Sequence, residues 1–281
     1  MRQQRKLTNK EWKEISEKYK DGGVHTYRGK RTLFYNGEKL VHVTNELFLQ
    51  NEEYLIYSKE ERDSWEVIIV LPGVEVIPEC TFDHLNIEKV IMADTIRRIE
   101  YNAFFCCESL KFVQLSTSLE YIGRWAFGGC LSLISIFIPP SCREIDGRAF
   151  FGCRKLIILT IPRHTQLGEN AIGNIALIKA SPFETNRRDE YDNNDEVNEW
   201  IKGLNQNEEF ALHRECATYE PSENAIFEIV KHQGLRSIHV KNQIGLTGFE
   251  YLQKNPYTDI ELDQQKLINR LVLDLMGEII A

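Results

Sequence analysis

IEYNAFFCCESLKFVQL (99–115), IGRWAFGGCLSLISIFI (122–138) and IDGRAFFGCRKLIILTI (145–161) align without a gap at a period of 23 residues. Phe104, Phe127 and Phe150 fall in one column, Cys107, Cys130 and Cys153 in a second, Leu110, Leu133 and Leu156 in a third. Weaker copies flank them: IPECTFDHLNIEKVIM (77–92), one residue short, and LGENAIGNIALIKA (167–180), where Ile172 replaces the phenylalanine. About five coils are expected over 65–180. A coil of about twenty residues cannot bury its own apolar side, but stacked coils share a continuous core, so matching positions stay apolar.

In LKFVQL the anchors are Leu110, Val113 and Leu115, the last two alternating as in a strand with one face buried. Successive coils then pair these strands in parallel. Proline follows the strand in VLPG, FIPP and TIPR, where it ends the strand without losing a ladder bond. If those anchors point inward, Lys111, Phe112 and Gln114 point outward. The outward columns are Lys89, Phe112, Ser135, Ile158, and Ile91, Gln114, Phe137, Thr160, with Ile134 and Ile157 in a third. A contiguous exposed apolar patch marks an interface. The expected partner-binding residues are therefore Ile91, Phe112, Gln114, Ile134, Phe137, Ile157, Ile158 and Thr160. The competing reading has the N-terminal region or the C-terminal tail fold over this face.

The coil pattern I-G-x-x-A-F-x-x-C-x-x-L-x-x-I-x-I-P resembles the BspA-type leucine-rich repeat, over about 65–180. That resemblance implies a right-handed parallel β-solenoid used for protein recognition, with no catalysis attached to the repeats. The fold class expected is α+β: a short leucine-rich-repeat solenoid, an N-terminal hairpin cap and a helical C-terminal region.

Upstream, YRGKRTLFYNGEKL (27–40) reads as two strands about an Asn36-Gly37 turn, because Asn-Gly supplies the positive backbone angles a tight hairpin needs. A helix is expected at about 9–20 before it. Residues 1–64 would cap the open strand edge of the first coil. Downstream, 181–209 is an acidic linker leading into a helix near 195–204. FALHRECA (210–217) and NQIGLTGFEYL (242–252) resemble ankyrin-repeat starts, which makes 210–281 an ankyrin-like region. A last helix at about 262–280 places Leu267, Leu271, Leu275 and Ile279 on one face. The order of parts resembles that of uncharacterised leucine-rich-repeat proteins of algae.

Composition bounds the chemistry. The chain has 281 residues, 42% of them hydrophobic, enough for a substantial core. VIIVL (67–71) and LIIL (156–159) are far too short to cross a bilayer. Seven cysteines with no CxxC pair argue for reduced thiols, and with no signal peptide evident a cytoplasmic or nuclear address is expected. A net charge of -8 argues against nucleic acid as the partner. The basic stretch 1–31 nonetheless leaves a salt-sensitive nucleic-acid arm as a third reading.

The chemical candidates are weak. GGVHTYRGKRT (22–32) has its glycines misplaced for a phosphate loop, and DNNDE (192–196) lacks the glycine and closing glutamate of a calcium loop. The cysteine column has no recurring histidine or carboxylate to complete a metal ligand set. His213 and Cys216 are spaced to face each other on a helix, which keeps an enzyme or regulatory subunit with a site at the solenoid/tail junction as the alternative. The expectation is a non-enzymatic scaffold with a protein partner, no cofactor, no metal and no small-molecule substrate.

Overall fold

The computed structural model describes residues 7–38, 40–42, 55–57, 59–156, 158–173, 175, 195–204, 208–217, 221–242, 245–254, 262 and 264–280. Packing divides the described residues into two compact units, Leu7–Asn198 and a second one running from Glu199 onward.

In the first unit, helix α1 (Asn9–Lys18) opens on a capping box: Glu11 N donates to Thr8 Oγ1 at 3.2 Å, and Thr8 N donates to Glu11 Oε2 at 2.8 Å. It leads into the hairpin β1 (Gly23–Tyr27) and β2 (Lys30–Tyr35), whose register pairs Tyr27 with Lys30 and Gly23 with Phe34. The turn is therefore Arg28-Gly29, with φ of 51° and 78°, and not the expected Asn36-Gly37. The apolar run Leu33–Tyr35 is what fixes β2. It must lie in the core, so the turn falls before it, and Asn36 follows β2, its Nδ2 donating to Asp21 O at 3.2 Å.

The hairpin does cap the repeats. β2 runs parallel to β5 (Val67–Val70), β5 to β7 (Lys89–Met92), and β7 to β9 (Phe112–Gln114), giving a five-stranded sheet in the order β1-β2-β5-β7-β9. β11 (Ser135–Phe137) lies beside β9 and pairs in parallel with β13 (Ile158–Thr160). A short parallel pair, β3 (Leu40–His42) with β4 (Leu55–Tyr57), and the one-turn helix α2 (Lys59–Asp63) fall between β2 and β5. On the other side of each coil, the two-residue strands β6 (Val76–Ile77), β8 (Arg98–Ile99), β10 (Tyr121–Ile122), β12 (Glu144–Ile145) and β14 (Gln166–Leu167) form a second parallel sheet. The regular part amounts to about four parallel 23-residue coils, preceded by β5 and β6 at a spacing one residue shorter, where about five were expected.

Between the sheets, the phenylalanine column is a physical stack. Ring centroids lie 5.2 Å apart for Phe82–Phe104, 5.1 Å for Phe104–Phe127 and 5.4 Å for Phe127–Phe150, the last two within 3° of parallel. Tyr35 of the hairpin closes the near end edge-on to Phe82 at 5.1 Å. Each cysteine thiol donates to a carbonyl one coil back: Cys107 to Phe82 O at 3.0 Å, Cys130 to Phe104 O at 3.3 Å and Cys153 to Phe127 O at 3.2 Å. Those carbonyls lie inside the solenoid, where an unmatched acceptor costs about 1–3 kcal/mol.

The second unit is helical: the C-terminal part of α3 (Asp195–Gly203), then α4 (Ala211–Cys216), α5 (Glu223–Gln233), α6 (Gly248–Lys254) and α7 (Gln264–Ile280). α7 packs on α5 through Leu267 and Leu271, with Lys231 Nζ 2.5 Å from Asp274 Oδ2 and the Arg270 guanidinium 4.2 Å over the Phe227 ring. The side chains of Leu275 and Ile279, expected on the same face, lie outside the described residues.

Candidate recognition face

Strand register builds the outward columns directly. Phe34 pairs with Ile69, Ile69 with Ile91, and Ile91 with Gln114; beside them run Thr32, Val67, Lys89 and Phe112. β11 adds Ser135 and Phe137. Ile91, Phe112, Gln114, Phe137 and Thr160 thus share one sheet face with Ser135, as alternation requires, whereas Ile134 precedes β11.

That face is not bare. Ile91, Phe112, Gln114 and Phe137 are exposed by only 4, 3, 1 and 4%. Ile134, just before β11, is exposed at 37%, and Thr160 is half-buried. Ile157 and the Ile158 side chain lie outside the described residues. The correction has a simple physical cause. Burying a phenylalanine or isoleucine side chain gains about 1.5–3 kcal/mol, so a face carrying several does not stay in water when the chain can cover it.

At the hairpin end the cover is α1. Tyr19, just past its C-terminus, stacks on Phe34 with centroids 3.8 Å apart and planes 10° from parallel, while Tyr27 meets Phe34 edge-on at 5.7 Å. Ile15 is 3% exposed on the same helix. Since Phe34 heads the column that contains Ile91 and Gln114, the N-terminal region folds onto the first rank of this face, as the competing reading required. Farther along, the Lys89 ammonium lies 4.5 Å over the Phe112 ring.

Two atoms on this face break the rule that buried polar groups are satisfied. Gln114 Oε1 and Ser135 Oγ are buried without a hydrogen-bond partner. Sequence reading placed both residues outward but gave no sign of the unmatched atoms. The only signal was two polar residues inside otherwise apolar columns.

The cysteines are structural. Burial pushes the thiols of Cys107 and Cys153 up to about 12 and Cys142 to about 11, and holds Cys130 well above its ordinary value. Neutral thiols neither attack nor ligate. No disulfide forms, and no group of three or more metal-ligating side chains occurs, among the described residues. His213 is fully buried in the second unit, its Nε2 2.8 Å from Leu246 O and its ring edge-on to Phe210 at 5.3 Å and Tyr251 at 5.8 Å. Burial lowers its pKa and raises that of Cys216, so both stay neutral and neither behaves as half of an activated pair. No helix among the described residues is long and apolar enough to cross a membrane.

Parallel coils stacked on matched phenylalanines, each giving one strand to a shared parallel sheet, define a leucine-rich-repeat protein. More particularly, residues 69–188 match the BspA type leucine-rich repeat region in six copies, so the chain carries a BspA-type repeat region. Solved structures similar to it include a leucine-rich cell surface protein from Faecalibacterium prausnitzii (31% identity over 36% of this chain, TM-score 0.35). Others are a leucine-rich repeat protein from Bacteroides ovatus (25% over 41%, TM-score 0.39) and the T. pallidum leucine-rich repeat protein (19% over 55%, TM-score 0.37). The matched stretch spans 27%, 30% and 65% of those chains, respectively. No curated protein matches this chain. The repeat match ends at residue 188, and nothing supports an ankyrin identity for the tail, which stands as a helical region.

Proposed function

We propose that this chain is a non-enzymatic scaffold that binds a protein partner, and that the strand face of its solenoid takes part through Ile91, Phe112, Gln114, Ile134, Phe137, Ile157, Ile158 and Thr160. The class of repeat supports the first half, since leucine-rich repeats serve typically as binding scaffolds. One observation carries the second: the unmatched Gln114 Oε1 and Ser135 Oγ at the centre of an apolar face. A face used only as internal core gains nothing from two orphan acceptors, each costing about 1–3 kcal/mol. A partner's backbone N–H groups would satisfy both.

Recognition is then coupled to uncovering. Exposing Phe112 and Phe137 costs about 3–6 kcal/mol, so the partner must bring apolar side chains as well as donors. Gln114→Leu separates the two roles. Replacing an amide whose Oε1 is unmatched by an apolar group of similar size should leave the unfolding midpoint close to that of the unaltered chain, yet abolish capture of the protein that the unaltered chain pulls from native extract. Retention of that same protein by Gln114→Leu would remove the strand face from the proposal.

A further inference from the structure

The chain's one Asn-Gly pair, Asn36-Gly37, makes no hairpin turn, and the fold uses its carboxamide elsewhere. Asn36 Nδ2 donates to Asp21 O at 3.2 Å, tying the end of β2 to the link between α1 and β1. The fit is close, since a Cβ on Gly22 would lie 3.0 Å from Asn36 Cγ. Gly22 N in turn donates to Tyr19 O at 2.9 Å, and Tyr19 is the ring that stacks on Phe34. One primary amide therefore helps to seat α1 on the strand face.

The same amide stands open to attack from its own main chain. Glu38 N donates to Asn36 Oδ1 at 3.2 Å, which turns the carboxamide toward the peptide that follows it and polarises its carbonyl. Gly37 has no side chain to shield its nitrogen, holds a φ of 97° that favours glycine, and its N–H meets no acceptor among the described residues. Asn36 is half-buried while Gly37 and Glu38 are exposed, so water and base reach the pair. A shielded nucleophile, an amide N–H engaged in a hydrogen bond or a buried site would each hinder ring closure. None of these applies at Asn36-Gly37.

We propose that Asn36 is a site of spontaneous deamidation whose products loosen the seat of α1. Gly37 N gives up its proton to solvent and bonds to Asn36 Cγ, while the charge that develops on Oδ1 is held by the Glu38 N–H. The Cγ–Nδ2 bond then breaks, and the nitrogen takes a proton and leaves as ammonia, closing a succinimide ring. Water opens that ring at Cγ to give aspartate, or at the main-chain carbonyl of residue 36 to give isoaspartate. Overall water replaces ammonia, and nothing is oxidised or reduced. Either product sets a carboxylate oxygen where Nδ2 had donated, so two acceptors face each other at Asp21 O. Isoaspartate also adds a methylene to the main chain just after β2.

The test keeps the full chain at body temperature and mildly alkaline pH in heavy-oxygen water, with the synthetic peptide YNGEK beside it as the reference. Samples taken over days are digested and mapped by mass spectrometry. Asn36 should gain the mass difference between an amide and an acid carrying one heavy oxygen, at least as fast as the peptide and ahead of every other asparagine of the chain. An Asn36 that keeps its amide while the peptide loses its own overturns the proposal, because the fold then protects the bond. In the converted fraction, amide exchange should quicken in α1 and β1 before the coils. Asn36→Asp sets the same two acceptors together from the start and should show the same quickening without ageing. Should that variant fail to fold, the aged chain, folded before it converts, still gives the reading. Exchange in α1 and β1 that is unchanged after conversion overturns the claim on the seat of α1.

Discussion

Trp125 has φ of 59°, in the left-handed region that costs a non-glycine residue about 1–2 kcal/mol. It is not alone: Cys80, Asn102, Arg148 and Asn170, its counterparts in the other coils, have φ between 54° and 60°. The solenoid imposes the angle: two of the five are asparagine, which tolerates it, but Cys80, Trp125 and Arg148 adopt it too. The indole folds back over Gly128, where a Cβ would sit 2.4 Å from Trp125 Cε3, and is flanked edge-on by Phe105 at 5.6 Å and Phe151 at 5.3 Å. Gly128→Ala must displace that ring, and we expect a loss of about 1–3 kcal/mol in urea unfolding. The neighbouring thiols give a second residue-scale prediction. Under native conditions iodoacetamide should modify only the exposed Cys80 and the half-buried Cys106, with Cys107, Cys130, Cys142, Cys153 and Cys216 reacting after denaturation. Modification of Cys130 in the folded chain would contradict the closed core.

At the scale of elements, α1 and its Tyr19 decide how the cap is held. Tyr19 is 8% exposed, with one ring face on Phe34. Tyr19→Ala should cost about 3 kcal/mol and speed amide exchange in β1 and β2 ahead of the coils, while Lys13→Ala on the solvent side of α1 should change neither. Sequence alone located α1, the final helix and the first strand of each regular coil, because stacking repeats the same residues at the same place; the two-residue strands of the second sheet carry too few residues to show an alternation. It misplaced the hairpin turn, since the Asn36-Gly37 signal is local whereas β2 is fixed by pairing with β5. Nor did it show the covered strand face. Alternation tells which way Phe112 points, not what comes to lie on it. The tail was harder still: short helices such as α4 and α6 carry too few residues for a pattern to identify a repeat.

For the whole molecule, the buried thiols set an alkaline limit. Cys107 and Cys153 are raised from 9.0 to about 12 in the folded chain by burial, and Tyr35 from 10.0 to about 12. The folded state thus holds protons that the unfolded state releases. Stability is full below about pH 9 and declines as pH rises toward 12. His213 acts in the opposite sense: its lowered pKa favours the neutral ring, so its contribution declines as pH falls below about 6.5. Urea midpoints should plateau between these limits. Segment-resolved exchange should show the alkaline loss in the coils and the acid loss around α4; a midpoint unchanged at about pH 10.5 would refute the thiol assignment.

The phenylalanine stack also sets the increment by which this molecule can change length. Rings related by one coil are interchangeable: removing 122–144 would place Phe104 against Phe150 with the same neighbours above and below as before. A gene encoding such a protein can lose or duplicate 23 codons and leave both ends intact, whereas an insertion that departs from the 22 or 23 residues of a coil puts the stack out of phase. The scaffold is adjustable in steps of about 5 Å, one ring at a time.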